Sequence, residues 1–371
     1  MLPDAIDLLK KYIDQPSGSR DPGDVQAVAE MFAADFRSLG FGVELIPGKA
    51  CGPVLRARFG RGKTQLMLMG HMDTVFPRAI CVPFKDLGDG RALGSGVIDM
   101  KGGVVVMLHA LQQALPRLDP DAVSLCVVLN PDEELGSPES HGIILDTARE
   151  SAAALSFEPC ASDYRLTCAR KGVTSVHVAC EGIPGHSGAK YKSCASAIQA
   201  LCAHITALYT LRDDARDISF NAGIISGGTA ENVVAPHAEA DCEFRYFDMR
   251  YREELMEKIR EICAVERVPG VKTSIAFGAS HPAVDLNEKS QKLLDLALEI
   301  SREQGQLRYH EKTGGAGDIG FAGLAGIGVL DGLGLAGEKM HTTDEFVYLE
   351  SLPKQIAFAA EMIVRTASLF A

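Results

Sequence analysis

No run of about 18 or more apolar residues occurs in the chain, so a conventional membrane-spanning helix is not expected. The opening segment MLPDAIDLLKKYIDQ lacks the basic start, continuous apolar core and small-residue cleavage site of a secretory signal, so a cytoplasmic location is the expectation. The ten cysteines include no Cys-x-x-Cys pair. Free buried thiols are therefore expected rather than disulfides, and a thiolate zinc site is disfavoured. There is also no Lys/Arg-rich cluster. With 37 basic against 49 acidic residues the net charge is −12, which repels phosphate backbones and argues against a nucleic-acid partner. Internal repeats and low-complexity segments are absent too. What remains is 371 residues, 46% hydrophobic and 23% charged, the composition of an ordinary folded protein and enough chain for two domains.

The first third alternates between two periods. Residues 24–39 carry apolar side chains at helical spacing and stop at Gly40, whereas GVELIPG and VLRARFG read as strands bounded by glycine. The apolar runs TQLMLMG (64–70), VSLCVVL (123–129) and AALSF (153–157) read as buried strands, and residues 102–115 as a helix closed by Pro116. Strands alternating with helices predict an α/β layer around a mostly parallel sheet. The pattern changes near Lys171. A strand (172–181), a helix (194–211), strands at 218–225 and 232–246, a helix (252–264) and a strand (271–277) give the order β-α-β-β-α-β of a ferredoxin-like split unit. Helical and strand signals of the first kind then resume: a helix at 287–303, a glycine-rich stretch at 313–317, a strand at 326–330 and a helix at 351–369. The expectation is a discontinuous domain, residues 1–170 and 281–371, with residues 171–280 inserted as an α+β domain.

Acidic residues and histidines gather where these strands end. His71 and Asp73 follow the strand 64–70, Glu133 and Glu134 the strand ending at Leu129, and Glu158 the strand ending at Phe157. Asp99 lies in the glycine-rich loop GSGVIDMKGG, and His341 in MHTTDE brings a second imidazole. Ligands of open α/β sheets bind beyond the carboxyl ends of the strands. Five carboxylates converging there would repel one another and raise their own pKa values, and a pair of divalent cations relieves this. Carboxylate with imidazole suits zinc, or cobalt or manganese. Asp99 is the candidate bridge between two ions, one also held by His71 and Glu158 and the other by Glu134 and His341. Asp73 fits behind His71, accepting its second N–H. Glu133, left over, becomes the candidate general base.

Taken singly, each cluster has an ordinary reading. His-x-Asp is commonly a surface turn, Glu-Glu a solvated helix start and Glu158-Pro159 a plain turn. GSGVID lacks the Gly-Lys-Ser/Thr ending of a P-loop. His109, on a predicted helix, reads as a core or surface residue rather than a ligand.

In order, GHMDTV, GSGVIDMKGG, NPDEELGS, SFEP and MHTTDE resemble the motifs of the co-catalytic zinc exopeptidases and deacylases. That family includes glutamate carboxypeptidase, acetylornithine deacetylase, succinyl-diaminopimelate desuccinylase and aminoacylase. The resemblance covers nearly the whole chain. It implies metal ligands at His71, Asp99, Glu134, Glu158 and His341, a catalytic base at Glu133 and an orienting aspartate at Asp73. It implies that the inserted domain is a lid that also forms a homodimer contact. It further implies an oxyanion-stabilising histidine at His186 in IPGHSG, a substrate-contacting Asn232 in ENVVAP and a lid Arg245 in EFRY. EKTGGAGDIGFA, which contains Asp318, is closest to the bacterial glutamate carboxypeptidases. Glu158 is the residue expected of carboxypeptidases and deacylases, where aminopeptidases tend to carry aspartate. One position departs: His281-Pro282 stands where those carboxypeptidases have an arginine that clamps the substrate's carboxylate, and imidazole lacks the guanidinium fork. The expected activity is metal-dependent hydrolysis of a small peptide or N-acyl amino acid with a free carboxylate. A di- or tripeptide aminopeptidase and a catalytically silent metal-binding homologue are the alternatives.

Overall fold

Two of the apolar runs form the centre of the largest sheet. Thr64–His71 and Val123–Asn130 are each almost wholly buried, because helices cover both faces and leave no side for polar residues. In the computed structural model, which describes residues 4–370, the two pair in parallel from Thr64 opposite Val123 to His71 opposite Asn130. Ala153–Ser156 pairs in parallel with the other side of Thr64–His71, and Gly328–Leu330 pairs in parallel beyond it. At the opposite edge Val54–Gly60 and Gly42–Ile46 are added antiparallel. The six-stranded sheet is thus mainly parallel, within a mixed α/β architecture. The helices Lys101–Ala114 and Ser351–Phe370 pack on each other and on Thr64–His71.

The helix Pro22–Ser38 starts with proline in its first turn, where the missing N–H is no loss. It ends in a Schellman motif. Gly40, with φ 91°, donates to Arg37 O at 3.0 Å, Phe41 donates to Phe36 O at 3.1 Å, and the rings of Phe36 and Phe41 lie 5.7 Å apart. A side chain other than glycine's would strain that left-handed turn.

Three α-helices lie outside the sequence expectations, Ala5–Ile13 and His141–Arg149, each of nine residues, and Ile319–Gly323, of five, all too short for a strong periodic signal. Ala5–Ile13 is capped by Asp4, which accepts the Ile6 N–H at 2.9 Å. It buries Leu8, Leu9, Tyr12 and Ile13, and Tyr12 stacks on Phe32 with ring centroids 4.0 Å apart. Just beyond its last turn stands Lys101, fully buried. The Lys101 ammonium donates to the carbonyls of Tyr12 (3.0 Å), which the helix end leaves without an intrahelical partner, and of Gln15 (2.8 Å), just beyond the helix. Burial pushes the Lys101 pKa down to about 8.

A second compact unit, Arg170–Val284 with Gly314–Ala316, interrupts the first. Gly172–Glu181, Ser219–Gly227, His237–Tyr246 and Lys272–His281 form an antiparallel sheet in the order 219–, 237–, 172–, 272–. With the helices Ala197–Leu208 and Met249–Ala264 this is the ferredoxin-like arrangement. The expected strand 232–246 is broken. Val233–Val234 pairs instead with Gly185–His186, and the long pairing begins at His237, after Pro236, which has no N–H to donate. The expected helix 194–211 is shorter, starting where Ser196 accepts the Gln199 N–H and ending in a 3-10 turn at Tyr209–Leu211.

Among the described residues no helix is long and apolar enough to cross a membrane. Lys101→Met is expected to lower stability by roughly 1–3 kcal/mol, since it strips two interior carbonyls of their donor. Urea unfolding with an unchanged m-value would measure it, and a loss near zero would show that the ammonium is dispensable.

Candidate metal centre

His71 is the last residue of its strand, and Asn130 is its register partner on the next. After Asn130 the chain enters a 3-10 turn, Glu133–Leu135, and Glu158 stands two residues beyond Ala153–Ser156. Three parallel strands therefore deliver these residues to one end of the sheet. Asp99 comes from the loop before the helix Lys101–Ala114, and the Asp99–Met100 peptide is cis. Gly103 lets this helix start close to the strand end: a Cβ there would lie 2.0 Å from the Phe157 carbonyl oxygen. His341 sits between the short strands Gly337–Glu338 and Phe346–Tyr348 with φ 62°, a left-handed conformation rare outside glycine.

These residues form two clusters that share one member. His71 Nε2 lies 3.1 Å from Asp99 Oδ1 and 3.7 Å from Glu158 Oε1. His341 Nε2 lies 3.0 Å from Asp99 Oδ2 and 3.4 Å from Glu134 Oε2. Each oxygen of Asp99 thus faces a different imidazole. In each triad, one donor atom per residue can be chosen so that all lie within 4.8 Å of one another. Glu134 Oε1 is buried and has no hydrogen-bond partner. A buried carboxylate oxygen without a donor is costly unless a cation meets it, and oxygen with imidazole nitrogen is a donor set for divalent ions. The residues present fit a pair of such ions.

Without cations the carboxylates regulate one another. Burial, and then the charge of Asp99, push Glu134 up to about 8. Burial also holds Glu133 well above its ordinary value. His71 opposes this, while Asp318, Glu158 and Glu134 add to it. Burial would raise Asp99 as well, but hydrogen bonds with His341 and His71 outweigh it and hold that carboxyl below the usual range. The hydrogen bond with Asp99 lifts His341 to about 9. Cation uptake near neutral pH therefore displaces protons from Glu134 and His341.

Behind the triads, other carboxylates fasten backbone. Asp73 accepts the N–H of Glu133 at Oδ1 (3.2 Å), and the N–H of Glu134 (3.2 Å) and the hydroxyl of Ser19 (2.7 Å) at Oδ2. His71 Nδ1 lies 3.0 Å from the main-chain carbonyl of Asp73 and 3.3 Å from its carboxylate, so the carbonyl is the nearer acceptor. Asn130 donates to Asp318 at 2.6 Å, and Asp132 accepts the Glu139 N–H at 2.7 Å, fixing the loop that carries Glu133.

Glu345, not singled out in the sequence, accepts the N–H of Ile98 (2.8 Å) and Asp99 (3.2 Å). It is buried, and burial pushes its pKa up to about 7. The available signal was its place in MHTTDE, four residues after His341.

The remaining sequence candidates belong to the inserted unit. His186 is exposed, and its Nδ1 accepts the N–H of Gly188 (3.2 Å) and Ala189 (3.3 Å), so its neutral form carries the proton on Nε2. The Asn232 carbonyl accepts the Ser187 N–H at 3.0 Å, tying these two segments together. Arg245 forks onto Glu243 at 2.7 and 3.1 Å and donates to Gly314 O at 2.9 Å. His281 ends its strand and is buried.

Residues 67–365 match the sequence profile of Peptidase family M20/M25/M40. The chain belongs to this family. It is 30% identical to carboxypeptidase G2 of Pseudomonas sp. (strain RS-16), over 98% of this chain and 89% of that protein. It is 26% identical to a succinyl-diaminopimelate desuccinylase of Gluconacetobacter diazotrophicus, over 94% and 93%. The M20 family metallo-carboxypeptidase Sso-CP2 from Sulfolobus solfataricus shares the fold with a TM-score of 0.81 at 16% identity, over 99% of this chain and all of that one. As an M20-family member the protein is a metallohydrolase, with the discontinuous unit and inserted unit of that fold. Asp73→Asn is expected to weaken metal retention roughly 10–100-fold, because it loosens the Glu133–Glu134 turn that the carboxylate holds. Metal content after graded chelation would show this, and wild-type retention would reduce Asp73 to a bystander.

Proposed function

We propose that this M20-family enzyme hydrolyses an amide bond next to a free carboxylate, as a carboxypeptidase or N-acyl-amino-acid amidohydrolase. The observation that carries this reading is the pair of imidazole–carboxylate triads sharing Asp99, with Glu133 beside Glu134. His71, Asp99 and Glu158 would hold one cation, and Asp99, Glu134 and His341 the other, with zinc preferred and cobalt or manganese as substitutes. When bound, such ions supply Lewis acidity to the scissile carbonyl and make water more acidic. Glu133 removes a proton from the attacking water and returns it to the leaving amine. A carboxyl raised above its ordinary pKa holds that transferred proton better than an exposed glutamate would. Asp73 keeps this base and its neighbour aligned through their main-chain N–H groups.

The names of the two sequence relatives, a carboxypeptidase and a desuccinylase, support small substrates that carry a carboxylate. The roles of the inserted unit belong to the same proposal. His186 donates its Nε2 proton to the developing oxyanion. Asn232 and Arg245 contact substrate. The unit mediates a homodimer, for which the edge strand Ser219–Gly227, with Ile224 64% and Ile225 58% exposed, is a suitable face. Ten free thiols suit a cytoplasmic, reducing compartment.

Glu133→Gln is expected to retain two equivalents of metal while losing about 10²–10⁴-fold in kcat. Normal turnover would remove Glu133 from the mechanism. The metal-loaded wild type, run on N-acyl amino acids beside free-amine dipeptides, should cleave the former. Cleavage confined to free-amine substrates would make the enzyme an aminopeptidase, and full metal with no turnover a silent homologue. Light scattering should report a dimer for the wild type and a monomer for Ile224→Asp.

A further inference from the structure

Residues Ser17–Asp21 run alongside Thr74, with the Ser19 N–H donating to Thr74 O at 3.1 Å and the Thr74 N–H to Ser17 O at 2.9 Å. Between these segments and the Glu133–Leu135 turn lies a cavity of about 350 Å³, whose walls include Arg20, Asp21, Thr74, Val75, Pro77 and Glu134. That volume is in the range of sites for small ligands. Because Glu134 forms part of the wall, the cavity adjoins the metal centre.

Arg20 is exposed, and its guanidinium makes no hydrogen bond or ion pair among the described residues. Arg78, whose main chain meets Asp21, has its own guanidinium paired with Asp24. Asp21, the nearest acidic group in sequence, turns its carboxylate to the Arg78 main-chain N–H at 3.3 Å. The cavity wall therefore carries one unpartnered cation with two acidic residues, Asp21 and Glu134, in a protein of net charge −12. A planar guanidinium with free N–H groups pairs best with a carboxylate, through two parallel hydrogen bonds. No such partner is supplied by the described residues, which leaves the guanidinium available to a carboxylate of a ligand in this cavity.

We propose that Arg20 determines substrate specificity by binding a carboxylate that the substrate extends from the metal centre into this cavity. The inference rests on the amide-hydrolase reading. The carboxylate has two possible sources, the side chain of the amino-acid half or the far end of the acyl half.

Two matched pairs of substrates separate these sources: N-acetylglutamate against N-acetylglutamine, and N-succinyl-leucine against N-butyryl-leucine. The metal-loaded wild type should prefer the carboxylate member of one pair, which identifies the half concerned. Arg20→Gln should reduce kcat/KM for that member roughly 10–100-fold, the weight of a charge-assisted pair, and leave the neutral member unchanged. Arg20→Lys, which keeps charge without the fork, should fall between. An equal loss on both members of each pair, or no loss on any, overturns the proposal. Calorimetric binding of glutarate to the metal-loaded wild type and to Arg20→Gln needs no turnover. Weaker binding to the variant supports the site even if the hydrolase reading fails, and equal binding overturns it.

Discussion

Like charge at close quarters is the constraint on which this structure turns. Asp73, Asp99, Glu133, Glu134 and Glu158 meet at one end of the sheet, where the imidazoles of His71 and His341 face several of them. The protein manages the repulsion in three ways. Without cations, burial and mutual repulsion raise the pKa values of some carboxyls, as at Glu133 and Glu134. One carboxylate, Asp99, is shared between the imidazoles, one oxygen to each. Others accept main-chain N–H groups, as Asp73 does. The parallel strands, the glycine-rich loop and the short helices are the framework that keeps these groups from moving apart. A scaffold that merely tolerated such crowding would be destabilised by it; one that receives cations converts the crowding into affinity.

The acidic residues divide by what lies opposite them. Asp99, Glu134 and Glu158 face imidazole nitrogens, and Glu134 has one oxygen with nothing to accept. Asp73, Asp132 and Glu345 face backbone N–H groups instead, and each fastens a loop that carries one of the first set. Arg20 is the counterpoint, a cation left without an internal anion.

Much of the catalytic unit was legible because buried parallel strands read as continuous apolar runs, and a change of residue type at the end of such a run is conspicuous. His71, Glu134 and Glu158 were visible on that ground, as was the β-α-β-β-α-β order of the inserted unit. Short elements were not: Ala5–Ile13 has barely two turns, and the strands Lys85–Asp86, Arg91–Leu93 and Gly337–Glu338 have two or three residues each. The division at Pro236 was hidden inside an otherwise strand-like stretch. Glu345 and Lys101 were illegible for a different reason. Their importance depends on which carbonyl or N–H they meet, and for Glu345 that is Ile98, 247 residues away along the chain.

The bond between Asp99 and His341 spans 242 residues. An ion held by both would act as a removable cross-link, closing a loop that includes the whole inserted unit. The cage itself exists only once the distant segments have docked. The ion would then stabilise the folded protein by binding it and not the unfolded chain, adding to the core that already joins the two ends.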